Sequence, residues 1–479
     1  MSLPPEAEPP SAAQPLESSS GSAPSPTFRD PAGSLRLEDA HAVRSIHPES
    51  RDAVLEFLAS PLRARLEASG DMVATTMEDA PSGQRLLHPR IPVATYPWEW
   101  TPSQWLAAAE LTLSLCEEAL SEDWILKDAT PLNVLFLGPR PVLVDVLSFE
   151  RRDPASSTWL AYAQYIRSFL LPLVMLRLRR WPLALTLFHR DGYEPAELYA
   201  ALGWPQRLSR TALFPITLPA LLEKRSGDKP AQPGTSKDPG LARHILERTL
   251  KSLRARTRRA LPSSAASNWS DYTTKLTHYT AEESAAKLAF VRAALEELRP
   301  ACVLDIGANT GEFSALAASL GARVIALERD AASAERIYIL SILSRERELN
   351  ILTLHADLAR PTPAAGWQNA ESAALLPRLE QQADLVLLLA VIHHLILMEQ
   401  IPLPAILALL HRLTRRHLLL EWVPVSDPMF QSLLRGRDSL YGSLTEGDLL
   451  AACAGLFHTA RRQTLSNGRI LFLLERLPA

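Results

Sequence analysis

The stretch Val303 to Ser314, VLDIGANTGEFS, constrains this chain more than any other. Val303, Leu304 and Ile306 around Asp305 read as the end of a buried strand, and Gly307 and Gly311 bracket a tight turn into a helix beginning near Glu312. Glycine lets the backbone pass where a Cβ would collide, and a helix N-terminus offers unpaired N–H groups. Strand, glycine turn and helix together make a cradle for a nucleotide-type cofactor.

Downstream spacing narrows the reading. Residues 321 to 330, GARVIALERD, form a second strand, Val324 to Leu327, ending at Glu328, which lies 23 residues after Asp305. An acidic residue at about this distance accepts hydrogen bonds from ribose hydroxyls in Rossmann-like folds. The glycines run D-x-G-x-x-x-G and depart from the G-x-G-x-x-G of dinucleotide enzymes. This pattern resembles class I S-adenosylmethionine (SAM) methyltransferases. The resemblance implies that Asp305, Gly307, Asn309 and Gly311 hold the methionine portion of SAM and Glu328 the ribose.

Three further strands follow. ILTLHADLA, 351 to 359, reads as the third and ends at Asp357, where the resemblance implies contact with the adenine amino group. ADLVLLLAVIHHL, 383 to 395, is the fourth, apolar enough for a central parallel strand buried on both faces, with His393 and His394 at its end. Ligands of open α/β sheets bind at the carboxyl ends of strands, so one histidine is a candidate for acceptor positioning or general base catalysis. The structural alternative is that His393 is buried and caps the next loop. RHLLLEWV, 416 to 423, is the fifth strand and brings Glu421 and Trp422 to the same rim.

Two closing strands, 456 to 464 and 469 to 476, form a hairpin around Ser466, Asn467 and Gly468. The expectation is an α/β, Rossmann-like domain with a mostly parallel sheet of seven strands. Between its third and fourth strands lies a long insertion carrying Trp367, Asn369 and Glu371, expected on the substrate side.

The first half reads differently. Residues 124 to 150, WILKDATPLNVLFLGPRPVLVDVLSFE, give a loop and two strands joined by Gly138 and Pro139. Asn133 lies five positions after Asp128, and Asp145 twelve after Asn133. This resembles the catalytic segment of aminoglycoside phosphotransferases and related kinase-like folds, in which such residues orient an acceptor hydroxyl and metal ions. Lys127 precedes the Asp, no glycine follows Asp145, and no phosphate-covering glycine loop stands upstream. The resemblance therefore implies a degenerate, helix-rich α+β kinase-like domain, with Asp128 and Asn133 bracing the loop.

Helical periodicity marks Asp52 to Ala68, Ser103 to Leu120 and much of Thr158 to Leu222, and the segment around FRDPAG and SLRLEDAHAVRSI suggests a small hairpin. HPRIPVATYPWEW carries too many aromatics for an idle loop and is expected to pack between two subdomains rather than to form a substrate surface. SGDKPAQPGTSKDPG, 226 to 240, is a linker by composition, and 244 to 260 is a basic helix whose plainer reading is a solvated face, against a phosphate contact. Asn268, Trp269, Tyr272 and Tyr279 are placed either to cover the cofactor or to pack against the helix at 281 to 298. The expected domains are a disordered tail (1–26), the kinase-like domain (27–225), linker and basic helix (226–266), and the methyltransferase domain (267–479).

The chain as a whole sets limits. Its 479 residues carry a formal charge of -3, which gives no reason to expect nucleic acid as a partner. Three separated cysteines, Cys116, Cys302 and Cys453, point to a reducing, cytoplasmic setting. The Pro- and Ser-rich start has no apolar signal core, and the most apolar run, Phe169 to Phe188, carries Arg177, Arg179 and Arg180, so no membrane span is expected.

The tandem of LKDATPLNVLF with VLDIGANTGEFS, LAVIHHL and LLLEWVPVSDPMF is similar to a bacterial family of SAM-dependent methyltransferases that includes rhizobial nodulation proteins. The similarity implies methyl transfer from SAM, without a metal, to an unidentified acceptor, a small molecule or glycan-like metabolite. A phosphotransferase or a non-catalytic scaffold built on the first half are the alternatives.

Overall fold

The computed structural model describes residues 30–80, 83–226, 234–262, 279–343 and 349–478. The expected tail, part of the linker, and Asn268, Trp269 and Tyr272 lie outside these residues.

The first half opens with an antiparallel sheet of β1 (Gly33–Leu37), β2 (His41–Ile46), β3 (Thr76–Ala80) and β4 (Gly83–Pro89), in the order β1-β2-β4-β3. The sequence suggested only the first hairpin. The second is polar along much of its length, with Glu78 and Arg85 paired across the strands, so it lacks an alternating apolar signal. The single helix expected over 52 to 68 is two, Arg51–Leu58 and Pro61–Ser69. Pro61 has no N–H to continue the first, and Ser60 caps the second by accepting from Arg63 N.

β5 (Trp124–Leu126) pairs with β8 (Phe149–Arg151), and β6 (Val134–Leu137) with β7 (Arg140–Leu143). The basic helix, Pro239–Ala260, is not free: Leu246, Leu250 and Leu253 are buried, and Arg254 reaches Glu117 at 2.6 Å on the helix Pro102–Ala119. It thus packs as part of the first half.

The second half is one sheet built from β9 (Cys302–Ile306), β10 (Arg323–Glu328), β11 (Ile351–His355), β12 (Ala383–Leu388), β13 (Thr414–Trp422), β14 (Phe457–Thr464) and β15 (Ile470–Arg476), in the order β11-β10-β9-β12-β13-β15-β14. The first five in that order run parallel, and β15 is antiparallel to both β13 and β14. β9 is buried throughout, as a strand covered on both faces must be. The order reverses between β9 and β12, which opens a crevice at their carboxyl ends.

One boundary differs in a way that matters. β12 ends at Leu388, Ala390 turns the chain with a φ of +56°, and Ile392–Leu397 is a short helix, so His393 and His394 sit on that helix and not on the strand.

The two halves share a continuous apolar core. HPRIPVATYPWEW lies in the seam between them: Trp98, Glu99 and Trp100 are buried, and the Tyr96 hydroxyl accepts from Ala373 N at 2.9 Å. Gln104 donates to Thr353 O at 3.1 Å, which ties the first half to the edge strand β11. Among the described residues, no helix is long and apolar enough to cross a membrane.

Candidate cofactor site

At the carboxyl ends of β9, β10 and β12 lies a cavity of about 390 Å³. Asp305, Gly307, Asn309, Glu328, Asp357 and His394 all line it. Residues separated by up to 89 positions in sequence thus share one wall, because the parallel crossovers deliver every strand end to the same rim.

The glycine turn is shaped by its neighbours. Gly307 has a φ of +71°, and a Cβ built there would stand 2.5 Å from Val391 Cγ2. Its N–H donates to Leu327 O at 2.8 Å, which holds the turn against β10. Gly311, at a φ of +87°, is the N-cap of the helix Glu312–Ser319 and does not itself line the cavity, although Thr310 and Glu312 on either side do. Gly307→Ala is expected to lose about 2–3 kcal/mol of stability, from the left-handed φ plus the overlap. Val391→Ala in that background should return part of the loss, because it relieves the contact but not the φ. Denaturant titration of the three proteins checks this, and an undiminished midpoint in Gly307→Ala would contradict it.

Asp305 is 2% exposed, and burial pushes its carboxyl up to about 6. The Ser314 hydroxyl, donating at 2.6 Å, and the charge of Lys287 hold it back from going further. Glu328 is also raised by burial, opposed by N–H groups of Asp330 and Asn309, each 2.7 Å from one of its oxygens. Asn309, in the left-handed region at a φ of +50°, is thereby locked onto the end of β10. Asp357 lies in the loop after β11, where Ala359 N donates to it at 2.8 Å and Arg360 at 3.2 Å.

His394 faces the cavity with its ring 4.2 Å from that of His393. Burial, then Arg329 and Arg469, push His394 down to about 4, so it is a neutral imidazole at physiological pH. His393 is buried behind it and does not line the cavity.

Other expected residues lie elsewhere. Trp367 and Asn369 do not line the cavity; their insertion clasps the first half through Glu371 and Arg190 at 2.5 Å. Glu421 is fully buried and bonded to Lys287 Nζ at 2.7 Å and to the hydroxyl of Tyr279. Sequence reasoning missed Lys287, Ser284, Arg329, Asp330 and Glu399, all in the lining. A lysine within AEESAAKLAFVRAALEEL reads as an ordinary solvated position, so only the docked helix reveals it. Tyr279 also lines the cavity.

Asp128, Asn133 and Asp145 form a separate group in the first half. Asn133 Nδ2 donates to Ser148 Oγ at 3.1 Å and to Asp145 at 3.4 Å, and Ser148 Oγ donates to Asp145 at 2.5 Å. Arg44, 4% exposed, holds the other Asp145 oxygen at 3.0 Å. Burial and the nearby Asp145 raise Asp128. Asp145 is thus balanced by a guanidinium of the chain itself. No group of three or more His, Cys, Asp or Glu that could hold a metal occurs among the described residues.

No family model matches the chain. Nodulation protein NoeA of Rhizobium meliloti (strain 1021) is 26% identical over 468 residues, covering 94% of this chain and 95% of NoeA. Among solved structures, magnesium protoporphyrin IX methyltransferase (ChlM) from Synechocystis PCC 6803 with bound SAH is 18% identical and covers 41% of this chain and 84% of its own, at a TM-score of 0.30. N-methyltransferase NodS from Bradyrhizobium japonicum WM9 is 12% identical over 41% of this chain and 98% of its own, also at 0.30. The likeness to NoeA runs through both halves of the chain.

Proposed function

We propose that the chain is a SAM-dependent methyltransferase acting on a small molecule or glycan-like acceptor. One observation carries this: Asp305, the Gly307 turn, Glu328 and Asp357 meet around a single cavity of about 390 Å³, within the range of small-ligand pockets. The close approach at Gly307, which a Cβ would block, and carboxylates spaced along the rim fit a ligand with a cationic tail, a ribose and an adenine.

When bound, SAM would supply an electrophilic methyl carbon for a nucleophilic acceptor, with S-adenosylhomocysteine as the leaving group. The chain contributes mainly orientation. In this reading Asp305, Gly307, Asn309 and Gly311 shape the methionine subsite, Glu328 accepts from the ribose hydroxyls and Asp357 from the adenine amino group. His394 accepts a hydrogen bond from the acceptor; an imidazole pushed down to about 4 is a positioning group more than a strong base. His393 supports it from behind. Glu312, Glu328, Asp330, Asp357 and Glu399 on the lining repel a polyanion, which favours an uncharged or cationic acceptor.

The test is calorimetry with SAM across pH 5 to 7. Ionised Asp305 attracts the cationic ligand, and its raised pKa lies near 6, so affinity should fall as pH drops through 6, by up to about tenfold per unit. Asp305→Asn should bind weakly at every pH and lose this dependence. Folded wild-type protein that binds no SAM at pH 7 would refute the proposal.

A further inference from the structure

Lys287 belongs to the helix Ala281–Leu298, outside every strand end that carries the expected SAM residues, yet it lines the same cavity. It is 7% exposed, and a buried ammonium is retained only where its surroundings are arranged for it. Those surroundings are unusually complete. Its Nζ donates to Glu421 Oε2 at 2.7 Å and to Tyr279 OH at 3.3 Å. Glu421 is held in turn by the Tyr279 hydroxyl and by Arg469 at 3.5 Å, and Arg469 is fixed by Asp427 at 2.7 Å. Burial works against ionised Glu421, but Lys287 and Arg469 hold its carboxyl below the ordinary value.

An ammonium has three N–H donors, and two are spent on Glu421 and Tyr279. The third is left for a ligand. Lys287 and Arg329 are the cations among the described lining residues. Arg329 follows Glu328 and pairs with Glu399 at 3.3 Å, at the end of the cavity assigned to ribose. Lys287 stands by the residues assigned to the methionine tail, with Nζ 5.2 Å from the Phe313 ring centroid and its charge acting on Asp305.

We propose that Lys287 is the specificity-determining residue that binds the α-carboxylate of the cofactor's amino-acid tail, and that Glu421 and Tyr279 position it. This rests on the SAM reading above, and it makes Glu421 a positioning residue for the cofactor and not an acceptor contact. The α-carboxylate is the one anionic group of SAM, and a charge-assisted hydrogen bond in a water-poor wall gives it selective value.

The experiment compares affinities for SAM and for decarboxylated SAM, which keeps the sulfonium, the amine and the nucleoside. Wild-type protein should prefer SAM by about 10- to 100-fold. In Lys287→Met the preference should fall to about one, while affinity for the decarboxylated ligand stays within about threefold. Lys287→Arg should keep part of the preference. Because Lys287→Met strands the Glu421 charge, Lys287→Met/Glu421→Gln is measured beside it and should show the same lost preference. A variant that keeps the wild-type preference, or that loses both ligands equally in the double variant, overturns the assignment. Wild-type protein that binds neither ligand overturns the SAM reading itself, so the two failures are distinct.

Discussion

Arg378→Ala is expected to lower the unfolding free energy by about 3–5 kcal/mol, the cost of leaving a carboxylate buried without its partner. Arg378 closes the seam between the two halves. Its guanidinium grips both oxygens of Glu99, one at 3.0 Å, and also donates to the carbonyls of Ala94, Ala373 and Ala374. Glu99 is 0% exposed and Arg378 is 8% exposed, so water cannot stand in for either. The Tyr96 ring lies 4.7 Å from the guanidinium and shields the pair further. Removing the acid as well, in Glu99→Gln/Arg378→Ala, should recover a large part of the loss, because the desolvated charge goes with it. Denaturant titration of the single and double variants decides: a single variant within about 1 kcal/mol of wild type would show that the pair is not desolvated. Thr362, which also donates to Glu99, follows Asp357 by five residues, so the same variant should loosen the Asp357 side of the cavity.

How much of this was legible in the sequence depends on whether the signal was local. The glycine turn and the strand ends at Asp305 and Glu328 could be read because each is a short pattern whose spacing is set by one strand-helix-strand unit. Asp357 was legible for the same reason, though it lies two residues past the end of β11. His393 and His394 were placed at a strand end because ADLVLLLAVIHHL is apolar throughout; the turn at Ala390 uses a left-handed φ that a non-glycine residue does not announce. Lys287 was not legible, since its place in the lining comes from how the helix Ala281–Leu298 docks against β13 through Glu421. Trp367 and Asn369 were read from the length of their insertion. Length showed that the segment has a task, but not that its contacts run to Arg190 and Glu99 in the first half. HPRIPVATYPWEW was legible as a packing segment because its tryptophans, Trp98 and Trp100, are too apolar to be left in water, and its partner, the insertion, was not.

Glu328→Ala should weaken SAM binding about 100-fold or more. Two hydroxyl donors on one carboxylate are worth roughly 1.5–3 kcal/mol each net of competition with water, and about 2.8 kcal/mol suffices for two decades. Glu328 is suited to this because its backbone bonds already fix it: Oε2 accepts from Asn309 N and Oε1 from Asp330 N, both at 2.7 Å, so no rotamer entropy remains to be lost on binding. The same bonds mean that alanine also releases two backbone donors and loosens the glycine turn. An analogue lacking the ribose hydroxyls separates the two effects. If Glu328 acts on ribose, alanine should weaken the hydroxyl-free analogue far less than SAM; if it serves only to brace Asn309, both ligands should weaken alike. Glu328→Gln keeps the shape but offers one acceptor oxygen in place of two, and should fall between wild type and alanine. Calorimetry on the three proteins, with thermal melts to register the loosened turn, gives the answer. Unchanged affinity in Glu328→Ala would remove the ribose assignment and with it the main electrostatic reason for a nucleoside at this rim.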